Sequence, residues 1–289
     1  MKYSIVIPNY NGISLLKRFL PGMVEYAESN SLELIIIDDC STDDSIKFIS
    51  ENYPQIRLLA NSINLGFGGS CNKAIAAAAG EYVFLFNSDI EIKSIPLDII
   101  ETYLQQADFF AITFKSFYSG GEKFREGAKR LKIKNGLPFV LHNEKDQQTD
   151  SSGRQYSFYA VGGHALFQRQ KFLELGGFSE LYAPFYWEDS DLGYRALKMG
   201  WRTYFDPRLT VIHHHENSSI KSNFQNKKIR QIKIRNRIIF MYHNFSFSER
   251  LYKFYPGMLL RALESLVTYR FGFFVAWRAA VKKMKEKHA

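Results

Sequence analysis

Four short apolar runs punctuate the first ninety positions: Tyr3-Ser-Ile-Val-Ile-Pro8, Glu33-Leu-Ile-Ile-Ile-Asp38, Ile56-Arg-Leu-Leu-Ala60 and Glu81-Tyr-Val-Phe-Leu-Phe86. Their length and β-branched or aromatic content predict strands buried on both faces, as in a parallel sheet. The intervening segments Ser14 to Ser29, Asp43 to Asn52 and Gly69 to Ala79 have helical composition with polar or glycine starts. A βαβαβαβ order predicts an open, mostly parallel, Rossmann-like α/β sheet flanked by helices. Such sheets bind ligands beyond the carboxyl ends of their strands. That rule gathers Asn9 to Asn11, Asp38 to Ser41, Asn61 to Gly69 and Asn87 to Asp89 around one crevice.

The pattern changes after residue 114. Gly120-Gly121, a basic run (Lys129, Arg130, Lys132, Lys134) and the polar stretch Asn143 to Gly153 suggest loops through residues 115 to 157, with no firm element. Apolar patterning resumes over Phe158 to Gln168. A short helix, a Gly176-Gly177 turn and a helix from about Asp189 to Met199, ended by Gly200, follow. From Phe224 the chain turns basic and aromatic. The division expected is one unit over 1–220, with a first half (1–114) and a second half (115–220), and a helical tail over 221–289.

Composition refines this picture. At 289 residues and 46% hydrophobic, the chain can bury a sizeable core. It holds no apolar run of membrane-spanning length, and the Tyr3 to Pro8 stretch is too short for a signal-peptide core, so the catalytic part is expected in the cytoplasm. Cys40 and Cys71 are too few for a disulfide framework and are expected as free thiols without a catalytic role. The net charge of +9 is unevenly spread: residues 1–220 carry −4 and residues 221–289 carry +13. An acidic catalytic part argues against nucleic acid as partner. The basic tail suits an anionic surface, and its aromatic residues suggest the inner face of the cell membrane.

The strand ends carry the candidate chemistry. A flat base stacked on Tyr10 would present an imide N–H to Asp39. Asp43 and Asp44 read instead as helix caps. Asp89 suits Mg²⁺ or Mn²⁺, because a diphosphate completes the shell of a hard cation held by one or two carboxylates. Backbone N–H groups of Asn64-Leu-Gly66-Phe-Gly68-Gly69 would face an anion at a helix start. That spacing does not match the dinucleotide fingerprint, which demotes a nicotinamide dehydrogenase. In Trp187-Glu188-Asp189-Ser190-Asp191-Leu192, one acid is needed as a base toward an acceptor hydroxyl, beside Trp187 as a sugar platform. Spacing alone leaves Glu188, Asp189 and Asp191 open. One imidazole of His213-His214-His215 would complete a metal shell.

Together, Ser4-Ile-Val-Ile-Pro-Asn-Tyr-Asn-Gly12, Ile37-Asp-Asp-Cys-Ser-Thr-Asp43, Asn64-Leu-Gly-Phe-Gly-Gly-Ser70, Phe86-Asn-Ser-Asp89, Gly176-Gly-Phe178 and Trp187-Glu-Asp-Ser-Asp-Leu192 resemble glycosyltransferase family 2. The order and spacing run from residue 3 to about 220 and are most similar to bacterial members that transfer rhamnose or galactofuranose. The resemblance implies a GT-A fold, a UDP- or dTDP-sugar donor, a divalent cation and inversion by direct displacement. It implies a donor pocket of Pro8, Tyr10, Asp38, Asp39, Asn64, Gly66, Asn87 and Ser88, with Asp89 and His213 on the metal. Asp189 then becomes the base, with Trp187 and Glu188 toward a saccharide or lipid-linked acceptor. Asn87 departs from the usual first acid of the metal motif. Lack of a Gln-x-x-Arg-Trp motif argues against a processive synthase. A non-catalytic nucleotide-sugar or glycan-binding module on the same fold is the alternative.

Overall fold

The structure, a computed structural model, describes residues 1–141, 148–149, 153–214, 225–268 and 271–286. Most of the polar stretch Asn143 to Gly153, together with His215, Phe224 and Arg270, lies outside the described residues.

The four predicted strands are β1 (Tyr3–Asn9), β2 (Glu33–Asp38), β3 (Arg57–Ala60) and β4 (Tyr82–Phe86), with α1 (Ile13–Ser29), α2 (Ser45–Asn52) and α3 (Gly66–Ala77) between them. They form a parallel ladder in the order β3-β2-β1-β4. Nearly every residue of β1, β2 and β4 is buried because helices cover both faces. Ile5, Ile7 and Ile36 pack with α1 and α2 on one side. Val6, Ile35 and Ile37 pack with Cys71, Ala74 and Ile75 of α3 on the other. Neither cysteine is in a disulfide.

The chain then runs through β5 (Ile90–Ser94), α4 (Leu97–Leu104), β6 (Phe109–Phe117), β7 (Phe124–Glu126), β8 (Arg130–Lys134), β9 (Leu137–Leu141), β10 (Gln148–Thr149), β11 (Gln155–Ser157), β12 (His164–Gln168), α5 (Arg169–Glu174), α6 (Glu188–Lys198) and β13 (Arg202–His213). Strand β12 is antiparallel to β4 and β6, and β13 lies parallel to β6, so the sheet continues as β4-β12-β6-β13-β11-β10. The region expected as loops therefore contains five short strands. One signal was local: Asn135 (φ 49°) and Gly136 (φ 68°) form the two-residue turn of the β8–β9 hairpin.

Beyond residue 224 come α7 (Asn226–Asn244), α8 (Tyr255–Val267) and α9 (Gly272–Glu286). Ile238, Ile239, Phe240 and Met241 of α7 are fully buried. They cluster with Leu137, Tyr182, Phe254, Met258, Phe273 and Ala280, and with Trp187, just before α6, and Tyr194 of α6 at the edge. The tail thus supplies core to the second half. Among the described residues no helix is long and apolar enough to cross a membrane.

Candidate active site

The ends of β1 and β2 are tied before any ligand is considered. Asn9 donates through Nδ2 to Asp38 Oδ2 at 2.8 Å, and Asp38 Oδ1 accepts the Ser41 N–H at 2.8 Å. Asp38 is fully buried, which leaves it holding the two strand ends together. Asp39, one residue on, faces the third loop. Its Oδ1 accepts from Asn61 Nδ2 (2.9 Å) and the Leu65 N–H (2.8 Å), and its Oδ2 from the Gly66 N–H (2.8 Å). Gly66 sits at φ 72°, a conformation that favours glycine. Of the N–H groups expected to meet an incoming anion at this loop, those of Leu65 and Gly66 are therefore spent on Asp39. Asn64 donates through Nδ2 to the Asp39 carbonyl at 3.2 Å, fixing the same turn. Tyr10 stands 42% exposed at the crevice edge, a free aromatic face beside partly buried Pro8. Asp43 caps as expected, accepting from the Ser45 N–H and also from Ile13 N–H, whereas the Asp44 side chain makes no capping bond.

At the end of β4, Asn87 and Ser88 are partly buried and Asp89 is buried. Asp89 Oδ2 lies 3.3 Å from Nε2 of His213, the last residue of β13, and the Asp89 carbonyl accepts the His214 N–H at 2.9 Å. Two ligands about 2.1 Å from one ion at right angles stand roughly 3 Å apart, so this carboxylate and imidazole fit a shared divalent cation. His214 is engaged elsewhere: it stacks on Phe19, and its Nε2 lies 2.8 Å from Glu91 Oε2.

Helix α6 opens from two successive left-handed residues, Tyr186 (φ 70°) and Trp187 (φ 80°). Such backbone is held only when its surroundings over-determine it. Here Asn236 of α7, fully buried, donates to the carbonyls of Tyr182, Phe185 and Tyr186. Trp187 packs on Phe240, ring centroids 5.1 Å apart, and stays partly exposed. The three acids that follow differ sharply. Asp191 is fully buried and accepts from Tyr182 Oη, Arg195 Nε and Asn244 Nδ2. Asp189 Oδ1 accepts from the Ser190 N–H (2.7 Å) and hydroxyl (3.4 Å). Glu188 Oε2 is buried without a hydrogen-bond partner. Burial pushes both the Glu188 and the Asp189 carboxyl up, and the Asp189 charge raises Glu188 further.

Sequence inspection missed what stands opposite Asp189. Lys129, read as part of an exposed basic run, is only 3% exposed, and its Nζ donates to Glu126 Oε2 at 2.7 Å and to the Gly127 carbonyl. Burial pulls the ammonium down, and the charges of Glu126 and Asp189 pull it back up. Burial alone would raise the Glu126 carboxyl, yet the charges of Lys129 and Arg125 and the hydrogen bond from Lys129 hold it below its ordinary value. His164, at the start of β12, is fully buried, and burial drops its pKa to about 3, leaving a neutral imidazole. A polar residue opening an apolar strand beside Gly162-Gly163 was the available signal. A chain of groups thus runs from Asp89 through His213, His164, Glu126 and Lys129 to Asp189.

Known proteins resemble this chain in sequence and in fold. The profile of glycosyl transferase family 2 matches residues 4–176, more than half of the chain. An N-acetylglucosaminyl-diphospho-decaprenol L-rhamnosyltransferase of Mycobacterium tuberculosis is 26% identical over 238 residues, spanning 74% of this chain and 76% of that protein. The structure of GalNAc-T7 with UDP, GalNAc and Mn²⁺ superposes with a TM-score of 0.66 at 15% identity, over 84% of this chain and 48% of that one. Residues 1–349 of Staphylococcus aureus TarS in complex with UDP-GlcNAc give 0.58 at 16% identity, over 98% of this chain and 81% of the other. The chain belongs to glycosyl transferase family 2 and is built on the GT-A fold.

Proposed function

We propose that this glycosyltransferase moves a sugar, with inversion, from a UDP- or dTDP-sugar to a hydroxyl of a saccharide or lipid-linked acceptor in cell-surface polysaccharide synthesis, one sugar per encounter. The observation that carries the reading is the pairing of Asp89 with His213, 3.3 Å apart, on the same crevice as the Asp39 turn. Tyr10 would stack on the base. Asp39, fixed by Leu65 and Gly66, would take its imide N–H, while Asn87 and Ser88 line the diphosphate. A divalent ion held by Asp89 and His213 would supply Lewis acidity at the leaving diphosphate. Ser190 fixes Asp189 Oδ1, so Oδ2 is the oxygen offered to the acceptor hydroxyl as it attacks the anomeric carbon. Glu188, with its raised carboxyl, would donate a hydrogen bond to the acceptor beside Trp187. The rhamnosyltransferase relative, named for a lipid-linked acceptor, and the nucleotide-bound structural neighbours support this assignment. A panel of UDP- and dTDP-sugars with Mn²⁺ should raise Tm for one donor in proportion to its occupancy. No shift from any nucleotide sugar would sink the reading.

Peripheral attachment to the inner membrane face belongs to the same proposal. Leu259, Leu260, Leu263, Leu266 and Val267 of α8 and Phe271 and Val275 beside or within α9 are exposed, while Met258, Phe273, Ala276 and Ala280 supply the helices' core contacts. Exposed leucines next to a chain end rich in lysine and arginine suit an anionic leaflet. Deleting the tail would strip core, so the test is Leu259→Gln/Leu263→Gln. The double variant should keep Tm and lose binding to anionic vesicles; undiminished binding would place attachment elsewhere.

A further inference from the structure

Beside the Asp89–His213 pair stand two groups that donor binding and proton transfer leave unused, Glu126 at the end of β7 and His164 at the start of β12. One ligand atom from each of Glu126, His164 and His213 lies within 4.8 Å of the others. His164 is fully buried, and neither of its ring nitrogens makes a hydrogen bond. Its Nε2 is 3.9 Å from Glu126 Oε1, and its ring meets that of His213 edge-on with centroids 5.7 Å apart. A buried imidazole with two unsatisfied nitrogens is costly, and proteins keep one where something else takes the lone pair.

The fold puts this imidazole directly behind the altered metal motif. Strand β12 pairs with β4 so that His164 lies opposite Phe86, and the Asn87 N–H donates to the Gly163 carbonyl at 3.0 Å. A Cβ on Gly163 would collide with the Asn87 side chain. Where the resemblance leads one to expect an acid at position 87, this chain has a neutral amide, and within reach of His213 it has a carboxylate and a second imidazole instead. Lys129 holds Glu126 Oε2 at 2.7 Å, while Oε1 lies between Arg125 Nε at 3.6 Å and His164 Nε2 at 3.9 Å.

We propose that Glu126, His164 and His213 form a protein-only site for an imidazole-accepting divalent ion, such as Mn²⁺, Fe²⁺, Co²⁺ or Zn²⁺, adjoining Asp89. The site takes up its ion before a nucleotide sugar arrives and discriminates against Mg²⁺, which prefers oxygen ligands and keeps its waters. The purpose assigned to the ion rests on the proposed transfer reaction; its uptake does not.

The test uses the full chain stripped of metal and titrated with Mn²⁺ in the absence of nucleotide, with free aqueous Mn²⁺ followed by electron paramagnetic resonance. One ion should bind per chain, and an excess of Mg²⁺ should not displace it. His164→Ala should weaken uptake at least about tenfold, and Glu126→Gln should weaken it as well. Should these variants fail to fold, the wild-type protein loaded with Co²⁺ decides: shifted imidazole proton signals from two histidines are expected. Absence of Mn²⁺ uptake without donor, unchanged uptake by folded His164→Ala, or signals from one histidine alone would overturn the site. Failure of every nucleotide sugar to bind the metal-loaded protein would instead defeat the transfer reaction and leave the site standing.

Discussion

The two halves of the sheet solve different problems. In β1 to β4 the strands are continuous apolar runs, and their polar groups sit at the carboxyl ends, where Asn9, Asp38, Asp39 and Asn61 bond to one another across adjacent loops. In the second half two long strands, β6 and β13, run beside short ones, and ionisable groups go inside: Glu126, Lys129, His164 and Asp189 come from three separate segments. The first arrangement is a preformed cradle whose members bond to one another. The second keeps the Glu188 and Asp189 carboxyls in surroundings that favour their neutral form, which is how a carboxylate becomes a base near neutral pH. Donor recognition and proton transfer are thus expected to respond differently to the same kind of damage.

The sharpest separation comes from Asp189→Asn. Transfer should fall by about 10²-fold or more, as expected for loss of a general base, while the donor-dependent rise in Tm should stay. The same variant tests the sign of the burial effect. A carboxyl whose folded pKa is raised binds its proton more tightly in the fold than in the unfolded chain, so stability falls as pH rises through the window between the two values. At pH 7 the amide should therefore be the more stable protein, seen as a higher Tm, and that gain should vanish at low pH where the wild-type carboxyl is protonated. The wild-type rate should fall on acidification at a pH above the ordinary aspartate range, because the base must be ionised. An acid limb at an ordinary aspartate value, or a donor shift lost along with activity, would erase the contrast between the halves.

Lys129→Met should come next. Removing one partner of a buried pair takes the nearer cation from the Glu126 carboxylate and leaves it facing Arg125 at 3.6 Å, at a cost of up to about 3–5 kcal/mol. It also removes a positive charge that lowers the Asp189 carboxyl, so the acid limb of the rate should move to higher pH. Adding Glu126→Gln should recover much of the stability by relieving the Glu126 charge. A denaturant melt and a pH–rate profile of the single and double variants check both statements.

The smallest effect is expected at the hairpin that joins the second half to the tail. Gly136 has φ 68°, and a Cβ there would stand 2.5 Å from the Phe254 carbonyl and 2.8 Å from Gly257 Cα in α8. Gly136→Ala should cost about 1–2 kcal/mol through its backbone conformation and loosen the tail, detectable as faster amide exchange in α8. Donor binding should not change. A loss of donor binding would tie the two halves together more closely than their contacts do.

Much of this was visible in the chain itself. The runs at 3–8, 33–38, 56–60 and 81–86 became β1 to β4 within a residue of their predicted ends, and the helix near Asp189 ended before Gly200. The Asn135-Gly136 turn was equally local, but it lay in a stretch whose basic and polar residues resembled solvated loop. Lys129 shows why that inference failed. A lysine adjoining Arg130 and Lys132 looks like surface, and only the approach of Glu126 and Asp189 makes its burial tolerable.

Neighbouring acids mark the boundary most clearly. Periodicity and turn chemistry, acting over a few residues, determine that strands end at Asp38-Asp39 and Asn87-Ser88-Asp89, and that a helix begins near Glu188. They cannot separate Asp38 from Asp39, or Glu188 and Asp189 from Asp191, because each shares its local pattern with its neighbour. Tertiary structure decides. Asp38 turns to Asn9 and Ser41, and Asp191 to Tyr182, Arg195 and Asn244, while Asp39 holds the turn at Leu65 and Gly66 and Asp189 bonds to Ser190. A carboxylate's role depends on which donors and charges surround it, and the deciding ones lie beyond its local pattern, as Asn9 does for Asp38, 29 residues back, and Asn244 for Asp191, 53 residues on.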